Sequence, residues 1–116
     1  MKISFSTLGC PDWSWREIFS ISKDIGMHGI EVRGIGKEMI APKAHPFLPE
    51  NVAATTSELE KANLCIPILT TGICLGLGDE KTFMEEARLY IELAQKTSTQ
   101  YIRVMVSPDQ IGRAHV

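Results

Sequence analysis

Two strand-like segments carry charged side chains at positions where they could do chemistry. In GIEVR, Glu31 and Arg33 alternate with the apolar Ile30 and Val32, and the segment YIRV carries Arg103. A guanidinium group can bind a phosphate or carboxylate through two parallel hydrogen bonds. The three charged residues therefore predict either a site for a polar small molecule or a buried network in which the acid and the bases pair with one another.

The strands that position these side chains are indicated by apolar residues that alternate with polar ones or form short apolar runs. Each segment has the length of an ordinary strand and lies next to turn-forming or helical sequence. Four strands are predicted, at Lys2–Thr7, Gly29–Arg33, Cys65–Thr71 and Tyr101–Val106.

Three helices are predicted between the strands. Ser14 and Glu17 have the spacing of a capping box and open the first helix, which Gly26 ends. The second covers residues 51–62, and the third begins at Asp79 and ends near residue 95. A long loop with three prolines separates the second strand from the second helix, and long loops of this kind are often functional.

Strands that alternate with helices are typical of right-handed βαβ units and a parallel sheet. An open sheet of four parallel strands would leave one face and both edges uncovered. The sequence therefore predicts an α/β fold that is the N-terminal half of a (β/α)8 TIM barrel, with four parallel strands and three helices.

Composition excludes several classes of protein. The chain has 116 residues, of which 44% are hydrophobic and 22% charged, as in a globular domain, and its net charge of −2 gives no basic surface for nucleic acid. The N-terminus lacks the apolar core of a signal peptide, and no segment has membrane-spanning length, so no membrane partner and a cytoplasmic location are expected. The three cysteines have no CxxC spacing, which favours reduced thiols.

The end of the chain does not continue the pattern of strands and helices. The final IGRAHV is also one reading frame of a common short-read sequencing adapter, and a fourth helix has not begun at this point. The expectation is that the partial barrel covers residues 1–109 and that residues 110–116 are an adapter-derived tail, so that Arg113 and His115 have no function.

The strand segments also resemble a family. KISFSTLGC, GIEVRG and YIRV are similar to the sugar phosphate isomerase and epimerase group of the xylose isomerase-like TIM barrels. The resemblance implies a parent enzyme that interconverts sugars or sugar phosphates, with a divalent metal (Mn, Mg, Co or Zn) held by later strands. It implies no catalytic base, cofactor or metal ligand within these residues.

Alternation along the barrel strands predicts which side chains face the interior. Ile30 and Val32 should face the helices, and the inward residues nearest the mouth, where TIM barrels bind substrate, should contact a sugar or sugar phosphate. These predicted substrate-binding residues are Arg33, Glu31, Arg103, Ser6 and Thr71. The alternative for the charged residues is an ion-pair network that only fills the barrel.

Other residues are weaker candidates. His45 lies on the long loop, where a solvated histidine is the commoner case, and His28 precedes the second strand and so belongs to the opposite, stabilising end. Cys10 and Cys74 have no neighbouring histidine to activate a thiolate.

Two functions remain open from the sequence. The first is the substrate-binding half of a metal-dependent sugar or sugar phosphate isomerase or epimerase, inactive unless completed. The second is a non-enzymatic binding protein or a half barrel that associates with itself through its uncovered sheet.

Overall fold

The computed structural model describes residues 1–76 and 78–106, and these contain four parallel strands. β1 (Ser4–Ser6) pairs with β2 (Gly29–Glu31), and β3 (Ile68–Leu75) pairs with β4 (Tyr101–Val106). Two parallel bridges, Gly29 to Cys65 and Val32 to Leu69, connect the two pairs. The strands therefore lie side by side in chain order, as the sequence predicts for one wall of a barrel.

A helix follows each of the first three strands in the described residues. They are α1 (Trp15–Asp24), α2 (Val52–Lys61) and α3 (Glu80–Thr97). The long loop between β2 and α2 contains two short 3-10 turns, Ala41–Lys43 and His45–Phe47. No helix in residues 1–76 and 78–106 has both the length and the apolar character needed to cross a membrane.

The predicted capping box begins α1. The Ser14 hydroxyl accepts a hydrogen bond from the Glu17 backbone at 3.2 Å, and the Glu17 carboxylate accepts one from the Ser14 backbone at 3.1 Å. These two bonds satisfy N–H groups that a helix start leaves without partners. At the other end, Gly26 has a φ of +75°, a left-handed conformation that glycine adopts without strain.

The hydrophobic core lies between the strands and the helices. Ile30 of β2, Val32 directly after it and Leu69 of β3 are fully buried on the helix side of the sheet, and Ile18 of α1 is buried against the same core. The prediction that Ile30 and Val32 face the helices is therefore confirmed.

The helical spacing of apolar residues in the sequence predicts an inner stripe on α1 and another on α3, and both are wrong in part. The predicted members are Trp15, Ile18, Ile21 and Ile25 on α1, and Phe83, Ala87, Tyr90, Ile91 and Ala94 on α3. Ile91 of α3 is 52% exposed, whereas Leu93, which the prediction left out, is buried with Tyr90 and Ala94. Successive helical residues are about 100° apart, so Ile91 lies outside the face that Tyr90, Leu93 and Ala94 share. Ile25, predicted to lie on the stripe of α1, caps that helix and is 62% exposed.

The third strand lies later in the chain than predicted, at Ile68–Leu75 instead of 65–71. Pro67 has no N–H group to donate to a neighbouring strand, which explains the late start. The strand then continues through Gly72 to Leu75 and carries a bulge, where the register with β4 shifts between Thr70 and Cys74. The predicted adapter-derived tail, residues 110–116, lies outside the described residues.

We expect Ser14→Ala to lower the free energy of unfolding by about 1 kcal/mol, because the Glu17 N–H loses its cap. Urea unfolding followed by circular dichroism measures this change. Ser20→Ala is the matched control, since Ser20 is exposed in the middle of α1 and alanine favours the helix interior. An equal loss in both variants would show that the cap does not stabilise the helix.

Candidate functional site on the inner face of the sheet

The face of the sheet opposite the helices carries the predicted inward residues Ser6, Glu31 and Arg103. Ser6 pairs with Glu31 across β1 and β2, and Thr70 pairs with Arg103 across β3 and β4. Side chains alternate along a strand, and neighbours in register lie on the same face. Because Ile30 and Leu69 point to the helices, Glu31 and Arg103 lie on the inner face, with Glu31 partly buried and Arg103 exposed.

The alternative interpretation of the charged residues, an ion-pair network of Glu31, Arg33 and Arg103, is not formed among the described residues. Within residues 1–76 and 78–106, the only ion pair joins Arg16 of α1 to Glu58 of α2, at 3.1 Å and on the outer surface. In the same described part of the chain, neither the Glu31 carboxylate nor the Arg103 guanidinium makes a hydrogen bond.

Arg33 does not project into the open interior as predicted, because it lies after the end of β2 and its guanidinium is held at the rim. Nη1 donates a hydrogen bond to the Met39 carbonyl at 3.1 Å. Nη2 lies against β3, only 2.8 Å from the place where a side chain at Gly72 would put its Cβ. Any residue larger than glycine at position 72 would displace this guanidinium.

Tyr90 of α3 completes the attachment of the long loop. Its side chain is fully buried, and its hydroxyl accepts a hydrogen bond from the Ala41 backbone at 3.3 Å. Burial raises the pKa of Tyr90, and the bond from Ala41 and the nearby Arg33 guanidinium partly oppose that rise. We call Arg33 and Tyr90 the loop anchor, since together they hold the segment from Met39 to Ala41 against β3 and α3.

The hydroxyls of Thr71 and Ser6 are engaged in local structure. Thr71 is buried, and its Oγ1 donates to the Arg103 carbonyl at 2.9 Å and accepts from the Ile73 backbone at 3.1 Å. These bonds cross the bulge of β3 and satisfy backbone groups that the shifted register leaves without strand partners. The Ser6 hydroxyl accepts from the Leu8 backbone at 3.2 Å and so caps a short turn after β1.

Thr7 is a structural residue of the rim that the sequence reasoning missed. It is buried, and its Oγ1 accepts a hydrogen bond from the Arg33 backbone at 2.9 Å and lies 3.4 Å from the Gly34 backbone nitrogen. It thus joins the carboxyl ends of β1 and β2. A threonine hydroxyl at a strand end can form hydrogen bonds with backbone groups where a neighbouring strand stops pairing. The position of Thr7 at the end of the first predicted strand was therefore the signal that could have revealed its role.

The weaker candidates behave as the sequence predicts for structural residues. His28 accepts a hydrogen bond from the Ile3 backbone at 3.0 Å, at the amino ends of the strands, and His45 is exposed on the loop. Burial raises the pKa of the Cys10 thiol, which disfavours the reactive thiolate. Within the described residues, no three histidine, cysteine or acidic side chains are grouped as metal ligands would be.

An open groove of about 700 Å³ lies away from the inner face, between α1, α2 and the loop. Trp15, Lys37 and His45 line it together with the Arg16–Glu58 ion pair. Neither Glu31 nor Arg103 lines this groove. It is therefore not the substrate site that the strand pattern predicts.

Comparison with solved structures identifies the architecture. The chain is similar to the crystal structure of the probable 3-DHS dehydratase AsbF, involved in petrobactin synthesis, from Bacillus anthracis, with a TM-score of 0.72 and 20% sequence identity. The match covers 90% of this chain but 38% of that one, so the chain spans well under half the length of the structure it resembles. The chain has an α/β fold of parallel strands and three helices that matches part of a TIM barrel.

Other comparisons add no family. A scan against protein-family models and a search of curated proteins give no match. At 20% identity the structural likeness establishes the fold alone.

We expect Tyr90→Phe to change how stability depends on pH. The neutral hydroxyl is favoured in the folded state, so its contribution is fully present below pH 10.0, the usual tyrosine pKa, and is lost as pH rises through the raised folded pKa. The variant should be less stable by about 1 kcal/mol at neutral pH, because the Ala41 N–H loses its acceptor.

Unfolding measured in urea from pH 7 to pH 11 tests this expectation. The difference between the wild-type chain and Tyr90→Phe should shrink above pH 10.0. Tyr101→Phe is the matched control, because Tyr101 is 64% exposed. A constant difference across the whole range would contradict the role given to burial of Tyr90.

Proposed function

We propose that this chain supplies the substrate-binding half of a TIM-barrel enzyme that isomerises or epimerises a small sugar or sugar phosphate. The observation that carries the proposal is the pair of charged groups on the inner face, Glu31 and Arg103, which make no hydrogen bond or ion pair within the described residues. Charged groups on the inner wall of a barrel bind the polar atoms of a ligand or must be neutralised in another way.

Arg103 is the residue proposed to bind the anionic group of the substrate. Its guanidinium is exposed on β4, and its backbone carbonyl is fixed by the Thr71 hydroxyl at 2.9 Å. A planar guanidinium on a fixed backbone suits bidentate binding of a phosphate or carboxylate. Glu31, two strands away, can accept hydrogen bonds from substrate hydroxyl groups.

Three of the predicted substrate-binding residues are proposed to affect substrate binding indirectly, by fixing the shape of the rim. They are Ser6, Thr71 and Arg33. The side chain of each residue forms a hydrogen bond with a backbone group near the carboxyl ends of the strands. The loop anchor holds the long β2–α2 loop beside the mouth, and loops after barrel strands form the active sites of this fold. Their substitution should therefore alter binding by moving the loop and the strand ends.

A divalent metal would have to be held largely outside the residues described. Among the described residues of the inner face, only Glu31 provides a carboxylate, whereas Mg²⁺ and Mn²⁺ require several oxygen ligands. The residues present do not fit a complete metal site. In this proposal the chain's own residues bind and orient the substrate, and no proton transfer is assigned to them.

A non-enzymatic binding protein is the second candidate. It would use the same two inner-face groups, Glu31 and Arg103, which make no hydrogen bond or ion pair within the described residues. Such a protein would bind the same polar ligands and leave them chemically unchanged.

Incubating the product of the complete source gene with ketoses, aldoses and their phosphates in D2O distinguishes these functions. Isomerisation or epimerisation by proton transfer should introduce deuterium at a carbon next to the carbonyl, which NMR detects. Loss of water from a hydroxy-carbonyl compound, the chemistry that a dehydratase performs, would replace the proposed reaction with elimination. Binding without turnover would support the second candidate.

In the active protein we expect Arg103→Ala to lower kcat/KM about 10- to 100-fold, because a charge-assisted hydrogen bond contributes about 1.5 to 3 kcal/mol. The melting temperature should hardly change, since the side chain is exposed. Arg88→Ala on the exposed surface of α3 is the matched control. Unchanged kinetics for Arg103→Ala with an anionic substrate would remove Arg103 from the site.

We expect the 116-residue chain to bind Mn²⁺ or Mg²⁺ no more tightly than about millimolar, the weak end of the range for sparse oxygen sites. Isothermal titration calorimetry of the chain measures this affinity. Glu31→Gln is the informative variant, since it removes the inner-face carboxylate and preserves its size. Micromolar binding that Glu31→Gln abolishes would place a metal site in this half of the barrel.

A further inference from the structure

We propose that the groove between α1, α2 and the β2–α2 loop binds an acidic segment of a partner protein. The walls of this groove are built from residues within the range 14–62, on the helix side of the sheet. The proposal therefore depends neither on the inner face nor on the sugar chemistry proposed above.

The groove runs along both helices. The cavity of about 700 Å³ beside the loop and a second cavity of about 270 Å³ are both lined by Arg16 and Glu58, so the two cavities meet at this ion pair. Ala54 and Ala62, whose short side chains line the α2 wall, leave the space open. Each helix has 10 residues and is therefore about 15 Å long, which matches about four or five residues of extended chain.

Basic side chains predominate among the charged groups of the groove. Four basic residues line it against two acids, namely Arg16, Lys23, Lys37 and Lys61 against Glu38 and Glu58. The three lysines are exposed and form no ion pair within the described residues. With His45 neutral, the lining carries a formal charge of +2 on a chain whose net charge is −2. This surface therefore attracts an acidic partner.

Both acids of the groove are already engaged. The Glu38 carboxylate accepts a hydrogen bond from the Ile40 backbone at 3.1 Å, and Glu58 pairs with Arg16. The Arg16 side chain is 72% exposed, and an ion pair this exposed contributes little to stability. Arg16 can therefore exchange Glu58 for an acid of the partner at little cost.

Apolar side chains lie beneath the charged rim. Trp15, Ile35 and Pro46 are buried in the wall beside the loop, and the Trp15 ring packs against Phe47 with centroids 5.3 Å apart. Phe19 is partly buried in the wall of the second cavity. An apolar centre with a polar rim is the common arrangement of protein–protein interfaces.

The same features favour an acidic peptide over a nucleic acid. The two carboxylates would repel a phosphate backbone, and the buried ring of Trp15 offers no open face on which a base could stack. A peptide can place acids beside the lysines and an apolar side chain between them.

Fluorescence anisotropy with a labelled peptide of alternating glutamate and leucine tests the proposal on the chain itself. Binding should saturate, and it should weaken as salt rises, because salt screens exposed charges. The matched peptide with lysine in place of glutamate should not bind. Lysine acetylation read by mass spectrometry should show that the bound acidic peptide protects Lys23, Lys37 and Lys61 but leaves Lys81 and Lys96 reactive.

Charge reversal tests the groove. Lys23→Glu combined with Lys61→Glu should weaken peptide binding at least about tenfold, because two attractive contacts become repulsive. Lys81→Glu combined with Lys96→Glu on α3 is the matched control, since both lysines are exposed and the change in net charge is the same. Lys37→Glu, on the loop and outside both helices, should also weaken binding and serves as the test if circular dichroism shows that the first double variant is unfolded.

Three results would overturn the proposal. The first is the absence of saturable binding of the acidic peptide. The second is an equal loss of affinity in the groove variants and the α3 control, which would leave only an effect of net charge. The third is tighter binding of a single-stranded oligonucleotide of the same charge, which would make the groove a nucleic-acid site.

Discussion

The alternation of side chains along β2 and β3 is the constraint on which the rest of this structure depends. Ile30, Val32 and Leu69 are fully buried against the helices, and a shift of one residue in either strand would expose them to water. Burying a side chain of this size stabilises the fold by about 1.5 to 3 kcal/mol. The same packing that fixes these apolar residues also sends Glu31 to the opposite face, so the position of the candidate site follows from the position of the core.

The end of each strand obeys a different constraint, which is that backbone groups without strand partners must find other hydrogen bonds. Thr7 accepts a bond from Arg33 after β2 ends, and Thr71 spans the bulge in β3. The Arg33 guanidinium likewise donates a hydrogen bond to a backbone group of the long loop, the Met39 carbonyl. Polar residues near the mouth are therefore divided between those that build the rim and those that remain available to a ligand.

This division explains how much could be predicted from the sequence. Periodicity located all four strands and three helices of the described region, and the Ser14 capping box and the β4 bounds were predicted correctly. The alternation of side chains along β2 correctly predicted that Ile30 faces the helices and that Glu31 faces the opposite side of the sheet. It failed at Arg33, because alternation no longer applies once a strand has ended, and it could not foresee the bulge that uses the Thr71 hydroxyl. Which acid pairs with which base depends on side-chain directions that periodicity does not define.

The two faces of the sheet also differ in how completely their side chains are covered. On the helix side, Ile30 of β2 and Leu69 of β3 are fully buried, and within the described residues no buried side-chain nitrogen or oxygen lacks a hydrogen-bond partner. On the inner face, Tyr101, Arg103 and Met105 remain in contact with solvent. A parallel sheet is normally covered on both faces, so the inner face of β4 is left incomplete. Whatever covers the inner face must therefore bury apolar surface and at the same time provide partners for one acid and one base. A purely apolar cover would leave both charges buried without compensation, at a cost of several kcal/mol for each.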